Sequence, residues 1–401
     1  MKKSKTEPDS LFEFIILMAI MMSLVALCID AMLPALPQIG KDLQVTNIND
    51  TQLIISFVFL GMAFGQSIYG PIADRYGRKP AAYLGFSLFI LGCLISLSSH
   101  ELPTMLGGRL LQGFGLAGPR IVCMALIRDL FKGNEMARIM SFIMVVFILT
   151  PTIAPAFGQL VLTFWSWRAI FTSFLILGIV VLIWFALRQE ETLNPLNRVP
   201  FSLKKISKAM WEVLTHRIAI GYTITAGFIS GSFLGYLNLS QPIFQKQYGL
   251  ESRFPLVFAI LAASLGIAAF VNGKLVMRYG MQFMANRSCL LSTLISFIYL
   301  IVTLYFVGHP PFWTLMAYLI VNLFCIGILF GNLNSLAMEP LGHIAGIGAG
   351  VVGSLSTFLA VPVGIFIGHN YHNNITPLVL GFAVLGGCAT ILMRWVQKTK
   401  C

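Results

Sequence analysis

One acid inside an apolar run is the first residue that could do chemistry. Asp30 closes Phe14–Asp30, a stretch that is otherwise apolar apart from Ser23 and Cys28, just ahead of Pro34 and Pro37. The run 11–37 is long enough to cross a bilayer as a helix. An ionised carboxylate there costs about 2.5 kcal/mol or more, so it persists where it faces a cavity, has a partner or carries protons. An interfacial acid near the far end of the helix is the plainer reading. A second charge, Arg109, lies in another apolar stretch. At the usual helical rise Asp30 stands about 27 Å above Phe12, and Arg109 about 28 Å above Arg128. The two charges therefore share a level. Such a pair can load and unload a proton as access changes, or stay a static buried pair. Arg120 stands only about 12 Å above Arg128. It suits an anionic or zwitterionic substrate, or it snorkels toward the nearer surface. Tyr236, Asn238 and Gln241 follow the close-packing face Gly227, Gly231 and Gly235; they line a cavity or anchor the helix at the interface.

The elements that hold these residues follow from composition. Of the 401 residues 57% are hydrophobic and only 10% charged, far from the roughly 25% charged of a soluble domain. The chain reads as an all-α polytopic membrane protein. Lys2, Lys3 and Lys5 give the N-terminus a basic flank, but no small-residue cleavage motif follows, so the first apolar run is read as a span and not a signal peptide. Seven cysteines show no C-x-x-C or Cys/His spacing, so neither a disulfide framework nor a metal site is expected. The six histidines stand apart, which argues against an enzyme with a nucleophile and base at one face.

Twelve transmembrane helices are predicted, over 11–37, 50–71, 80–99, 103–127, 136–163, 167–187, 217–244, 252–276, 282–307, 311–335, 344–368 and 375–396. With a cytoplasmic N-terminus, almost all lysines and arginines fall on the inner side; Lys41, Arg168, Lys246 and Arg253 fall outside, and Arg109 and Arg120 inside the fourth span. That asymmetry places both termini in the cytoplasm. It also accounts for the net charge of +12 without nucleic acid, since no single basic patch with interleaved aromatics forms. The predicted division is a tail at 1–10, a six-helix half at 11–187, a cytoplasmic linker at 188–216, a second half at 217–396 and a tail at 397–401. The linker carries Pro195, Pro200, Lys204, Lys205 and Lys208. It reads partly as an interfacial helix, with anionic lipid headgroups as neighbours. Gly70-Pro-Ile-Ala-Asp74-Arg75-Tyr76-Gly77 is echoed by Gly273-Lys-Leu-Val-Met277-Arg278-Tyr279-Gly280. Two related halves are a transporter architecture.

Gly70-x-x-x-Asp74-Arg75-x-Gly77-Arg78-Lys79 resembles the signature loop of the major facilitator superfamily. Within it, Ile29-Asp30-x-x-x-Pro34-x-x-Pro37, Ala125-Leu-Ile-Arg128-Asp129 and Met338-Glu339-Pro340-Leu-Gly342-His343 resemble the Bcr/CflA group of bacterial drug/proton antiporters. Arg109-x-x-Gln112-Gly113 resembles the superfamily's fourth-helix motif, whose arginine is linked to proton coupling. Thr150-Pro151-x-x-x-Pro155-x-x-Gly158 resembles, with some glycines replaced, the exporters' antiporter motif. Gly113-x-Gly115-x-x-Gly118 and the string from Gly346 to Gly353 spell dinucleotide fingerprints but lie inside spans; both are read as packing.

The resemblance implies a proton-coupled exporter of amphipathic small molecules or drugs, driven by the proton gradient with no other cofactor. It implies a monomer in the bacterial inner membrane, with two pseudo-symmetric six-helix halves around the substrate. Asp30 and Arg109 would couple protons. Asp74 would accept amides at the start of the eleventh span, and Arg75 would pair with Asp129, latching the inner side; Gly70, Gly77, Arg78 and Lys79 complete the loop. Serving only as a topological anchor of positive charge is the alternative for that loop. Two competing functions remain: a dedicated exporter of an anionic metabolite such as a siderophore, motivated by Arg120, and a transport-inactive membrane sensor.

Overall fold

In the computed structural model, residues 10–194, 196, 198, 202–251 and 253–398 are described. Lys2, Lys3, Lys5, Pro195, Pro200, Lys400 and Cys401 lie outside them. The chain runs through α1 (Leu11–Asp30), α2 (Leu36–Asp42), α3 (Leu53–Tyr76), α4 (Arg78–Leu97), α5 (Leu102–Leu130), α6 (Gly133–Phe164), α7 (Arg168–Arg188), α8 (Leu203–Thr215), α9 (Arg217–Gln241), α10 (Phe254–Tyr279), α11 (Met281–Tyr305), α12 (Phe312–Met338), α13 (Ala345–His369) and α14 (Thr376–Gln397). Among the described residues twelve stretches are long and apolar enough to span a membrane; α1 and α2 make one of them, and α8 makes none. The all-α, twelve-span expectation is met.

The first span departs from a single helix at an informative place. Pro34 has no N–H, so the carbonyl of Asp30 finds no donor four residues on. α1 therefore stops at Asp30. A 3₁₀ turn, Leu33–Ala35, follows, and Pro37 starts the short α2. The proline pair thus makes Asp30, the acid in the middle of this span, the last residue of its helix.

Two compact units form. The first takes the chain up to Gln44 together with Phe57–Ile206; the second takes Val45–Ser56 together with the chain from Ser207. The boundary thus falls inside the linker helix α8, and the start of α3 belongs with the second unit. In the first unit the glycine string of α5 is a packing device, as expected. A Cβ at Gly113 would lie 2.0 Å from the Val58 carbonyl of α3, and one at Gly115 would lie 2.4 Å from the Phe89 amide of α4. In the second unit the α9 glycines 227, 231 and 235 receive Leu359, Val363 and Ile367 of α13. The string beginning at Gly346 divides: a Cβ at Gly346 would meet nothing within 4 Å, whereas Gly348 is buried and a Cβ there would lie 3.3 Å from Met338 Cε. The packing reading therefore holds at Gly348 and not at Gly346.

Candidate functional site

Asp30 is buried, at 5% exposure, and Arg109 is fully buried. They are not a salt bridge. Among the described residues no ion pair involves Asp30. Arg109 instead reaches the backbone two residues earlier. Its Nη2 donates to the Cys28 carbonyl at 2.9 Å, and its Nη1 donates to Gln112 Oε1 at 2.7 Å and to Cys28 Sγ at 3.2 Å. The last turn of a helix carries carbonyls that run out of main-chain donors. Arg109 caps that turn of α1 from α5, and a cation is favourable at a helix C-terminus. Gln112 is held in turn, donating to Cys93 Sγ at 3.3 Å. The Phe171 ring lies 5.7 Å from the guanidinium. Arg109 does reach the end of α1, but its contact there is with Cys28 and not with Asp30.

α6 closes on the same turn. It continues unbroken through Pro151 and Pro155. A Cβ at Gly158 would lie 2.0 Å from the Ala31 carbonyl. The antiporter-like helix therefore abuts the residue after Asp30, and only the missing side chain permits that approach. Asp30 is thereby set by α5 on one side and α6 on the other, and one proton there changes the charge at the end of α1.

The 70–79 loop holds its own charge cluster. Arg78, not Arg75, meets Asp129: its Nε donates to Asp129 Oδ2 at 2.9 Å, and its Nη1 to Asp74 Oδ1 at 2.5 Å. Arg75 is exposed and stacks on Tyr76 at 5.2 Å. The expected Arg75–Asp129 pair is corrected. The physical reason is register. Gly77 takes φ +115° between α3 and α4, and this break leaves Arg78 buried at the start of α4, beside both acids. Glu191, which sequence reasoning passed over, caps that start. It accepts from the amides of Arg78 at 2.9 Å and Lys79 at 3.0 Å, while Lys79 Nζ donates to the Ala186 carbonyl. A Cβ at Gly77 would fall on the Glu191 carboxylate, whereas one at Gly70 would meet nothing. Thr192 also donates to Asp129.

In the second unit a cavity of about 250 Å³ is lined by Asn49, Asp50, Gln52, Leu53, Ser56, Asn238, Ile365 and His369. Asn238 donates to Ser56 Oγ and the Gly364 carbonyl, both at 3.1 Å. Asn49 donates to the carbonyls of His369 and Tyr371. Of the three α9 residues singled out, Asn238 therefore lines a cavity. Gln241 turns to Gln245 at 2.9 Å, and Tyr236 stacks on Phe258 with centroids 6.1 Å apart. Tyr371, beyond α13, donates to the Pro242 carbonyl and Gln247; burial pushes its hydroxyl up to about 12.

Residues 18–365 match the Major Facilitator Superfamily. The chain belongs to the major facilitator superfamily. Its relatives include the MFS-type transporter YdgK of Bacillus subtilis, 31% identical with 85% of each chain covered. A bicyclomycin resistance protein homolog of Haemophilus influenzae is 28% identical over 96% of this chain and 95% of its own. The multidrug resistance protein MdtL of Salmonella heidelberg is 28% identical over 84% and 85%. The resemblance to the Bcr/CflA group is thus supported by its bicyclomycin-resistance relative. Among solved structures, the human organic anion transporter MFSD10 superposes with TM-score 0.70 and a D-xylose–proton symporter with 0.71, each at 14% identity and over 96% of this chain. They share the fold.

As a major facilitator transporter the chain has its familiar motifs in place, with altered partners. Arg109 holds a carbonyl, Gly158 a close approach, and Arg78 the two loop acids. Gln112 stands where the fourth-helix motif put it, one helical turn after Arg109; Cys28 and Glu191 are the neighbours of these groups that sequence reasoning did not place. Cys28 and Glu191 act through backbone and side-chain contacts across long sequence separations, which single-chain patterns do not reveal.

Proposed function

We propose that this chain is a proton-coupled exporter that expels amphipathic small molecules from the cytoplasm by alternating access, with Asp30 carrying the proton. The supporting observation is the end of α1. A buried carboxylate without an ion pair stands on a turn capped by Arg109 and abutted by Gly158. Such acids in spans are functional by default. Arg109 positions the turn, and the Arg78–Asp74–Asp129 cluster is the cytoplasmic latch that times access. Asn238 faces the substrate path. The reading also puts the protein in a bacterial inner membrane with both termini cytoplasmic, which the distribution of basic residues supports.

The test is proton release on adding a lipophilic cation to detergent-solubilised protein, comparing wild type with Asp30→Asn. The wild type releases protons and the variant does not, while both still bind the cation. A variant that still releases protons removes Asp30 from the coupling role.

A second reading, export of an anionic metabolite, is favoured by Arg120. It lies inside a span, half-buried, and among the described residues it enters no ion pair or hydrogen bond. A cation left without a counter-charge in a span is costly, and an anionic substrate would supply one. Transport of lipophilic cations that survives Arg120→Ala would sink the anion reading.

A further inference from the structure

We infer that α8 is an anionic-phospholipid docking helix, laid in the headgroup layer of the cytoplasmic leaflet with Trp211 as its apolar anchor. The inference takes the cytoplasmic orientation proposed above, and its test reads no transport. α8 begins after Ser202, whose hydroxyl accepts from the Lys205 amide at 3.2 Å. It ends at Thr215, and α9 starts at Arg217. The one residue between them, His216, is extended (φ −83°, ψ 109°) and its ring accepts from the Ala219 amide. The extended residue breaks the helix there, so α8 is separate from the span it feeds, and its C-terminal end lies one residue from the start of that span.

The faces of α8 are sorted. Ile206, Ala209 and Val213, spaced for one helical face, are buried. A second apolar stripe is left outside the protein: Leu203 is 71% exposed, Trp211 68% and Leu214 44%. At the helical repeat these three fall within about 80° of arc, and Lys204 and Lys208 continue directly from Trp211. Lys205 is exposed as well. The one acid of the helix, Glu212, is engaged by His343 Nε2 at 2.6 Å, on the turn between α12 and α13. What faces outward is thus an apolar stripe bordered by exposed lysines. A tryptophan at the rim of a span belongs at the headgroup level, and exposed lysines beside it complement an anionic leaflet. A water-facing helix would carry polar side chains at these positions.

The geometry also gives the docking a consequence. Through Glu212 and His343, α8 is joined to the turn that starts α13, so the charge of the leaflet bears on the cytoplasmic end of that span.

The test uses the full chain in nanodiscs of phosphatidylcholine with increasing phosphatidylglycerol, all carrying brominated acyl chains. The Trp211 signal is the emission lost in Trp211→Phe. It should be quenched by the brominated lipid and shielded from aqueous acrylamide, and quenching should rise with phosphatidylglycerol. In Lys204→Gln/Lys208→Gln the phosphatidylglycerol fraction needed for half of that rise should increase, by up to roughly fivefold per lysine. Near- and far-ultraviolet circular dichroism checks that the variants remain folded. Acrylamide quenching without lipid quenching would overturn the proposal. So would lipid quenching that is the same at every phosphatidylglycerol content.

Discussion

Gly158→Ala is the smallest change that should disturb the proposed proton site without touching a charge. A Cβ at 158 would lie 2.0 Å from the oxygen of Ala31, 2.9 Å from its carbonyl carbon and 3.2 Å from its Cα. All three are backbone atoms, so no rotamer change relieves the overlap. To restore contact near 3.5 Å, α6 and α1 must part by roughly 1.5 Å. Overpacking of this kind costs about 1–3 kcal/mol, and the gain from replacing a helical glycine offsets about 1 kcal/mol. The variant should therefore fold with modestly lowered thermal stability. Function should suffer more, because the displaced atoms adjoin Asp30. A shift near 1 Å in a reacting group costs on the order of a hundredfold in enzymes, and a ten- to hundredfold loss of proton-coupled efflux is expected here. Gly107→Ala is the control, since a Cβ there meets nothing within 4 Å. It should leave efflux unchanged and raise stability by roughly 0.5–1 kcal/mol. The assays are pH-driven efflux from inverted vesicles and thermal unfolding in detergent. If Gly158→Ala pumps and melts like the wild type, the close approach of α6 to Asp30 plays no part in coupling.

Further outcomes follow from the same contacts. Arg78→Ala should cost about 1–3 kcal/mol in thermal unfolding, because it strands two acids that are themselves partly solvated. Arg75→Ala should stay within about 0.5 kcal/mol; the reverse order would restore the Arg75–Asp129 pairing. Glu191→Gln removes the charge of the α4 cap and also puts an NH2 donor where one of the two carboxylate oxygens accepts an amide N–H, and should cost about 1–3 kcal/mol, the charge part of it shrinking at high salt. Tyr371 is held neutral by burial, with its hydroxyl up to about 12 against roughly 10 in an unfolded chain. Its contribution is therefore fully present below pH 10 and is lost as the pH rises toward 12. Tyr371→Phe should flatten the decline in melting temperature over that window.

The spans were legible because each must bury its own backbone polar groups, which forces long apolar runs on the sequence. The signature loop was legible because its glycines and charges are consecutive. What stayed hidden was azimuth. Helical rise gives the height of Arg109 and Asp30 but not the direction in which either side chain points, so a shared level was taken for a pair. The same limit misassigned Asp129. Arg75 and Arg78 both lie near it in height, and only the turn at Gly77 decides which one is buried. Glu191 was hidden for another reason: it is an ordinary acid at the start of a polar linker, and its role exists only once the linker folds back on α4.

These corrections change what proton coupling at Asp30 would require. A salt bridge to Arg109 would make the arginine a switch that must be released at every cycle. An arginine that caps the Cys28 carbonyl is different: its partner is a backbone group, present whether Asp30 is charged or neutral. Arg109 then serves as a fixed post, holding the last turn of α1 while the carboxylate beyond it changes charge. Pro34 ends the helix at that residue, and Gly158 lets α6 rest against the next one. The charge change at Asp30 is thereby delivered where α1, α5 and α6 share backbone contacts, so the movable element is the chain beyond Asp30, through the 3₁₀ turn and α2. Arg109→Lys separates the two designs. A lysine preserves a charge for a salt bridge, but it lacks the fork that holds the Cys28 carbonyl and Gln112 together. Loss of coupling in that variant, with cation binding retained, supports the post; unimpaired coupling supports the switch.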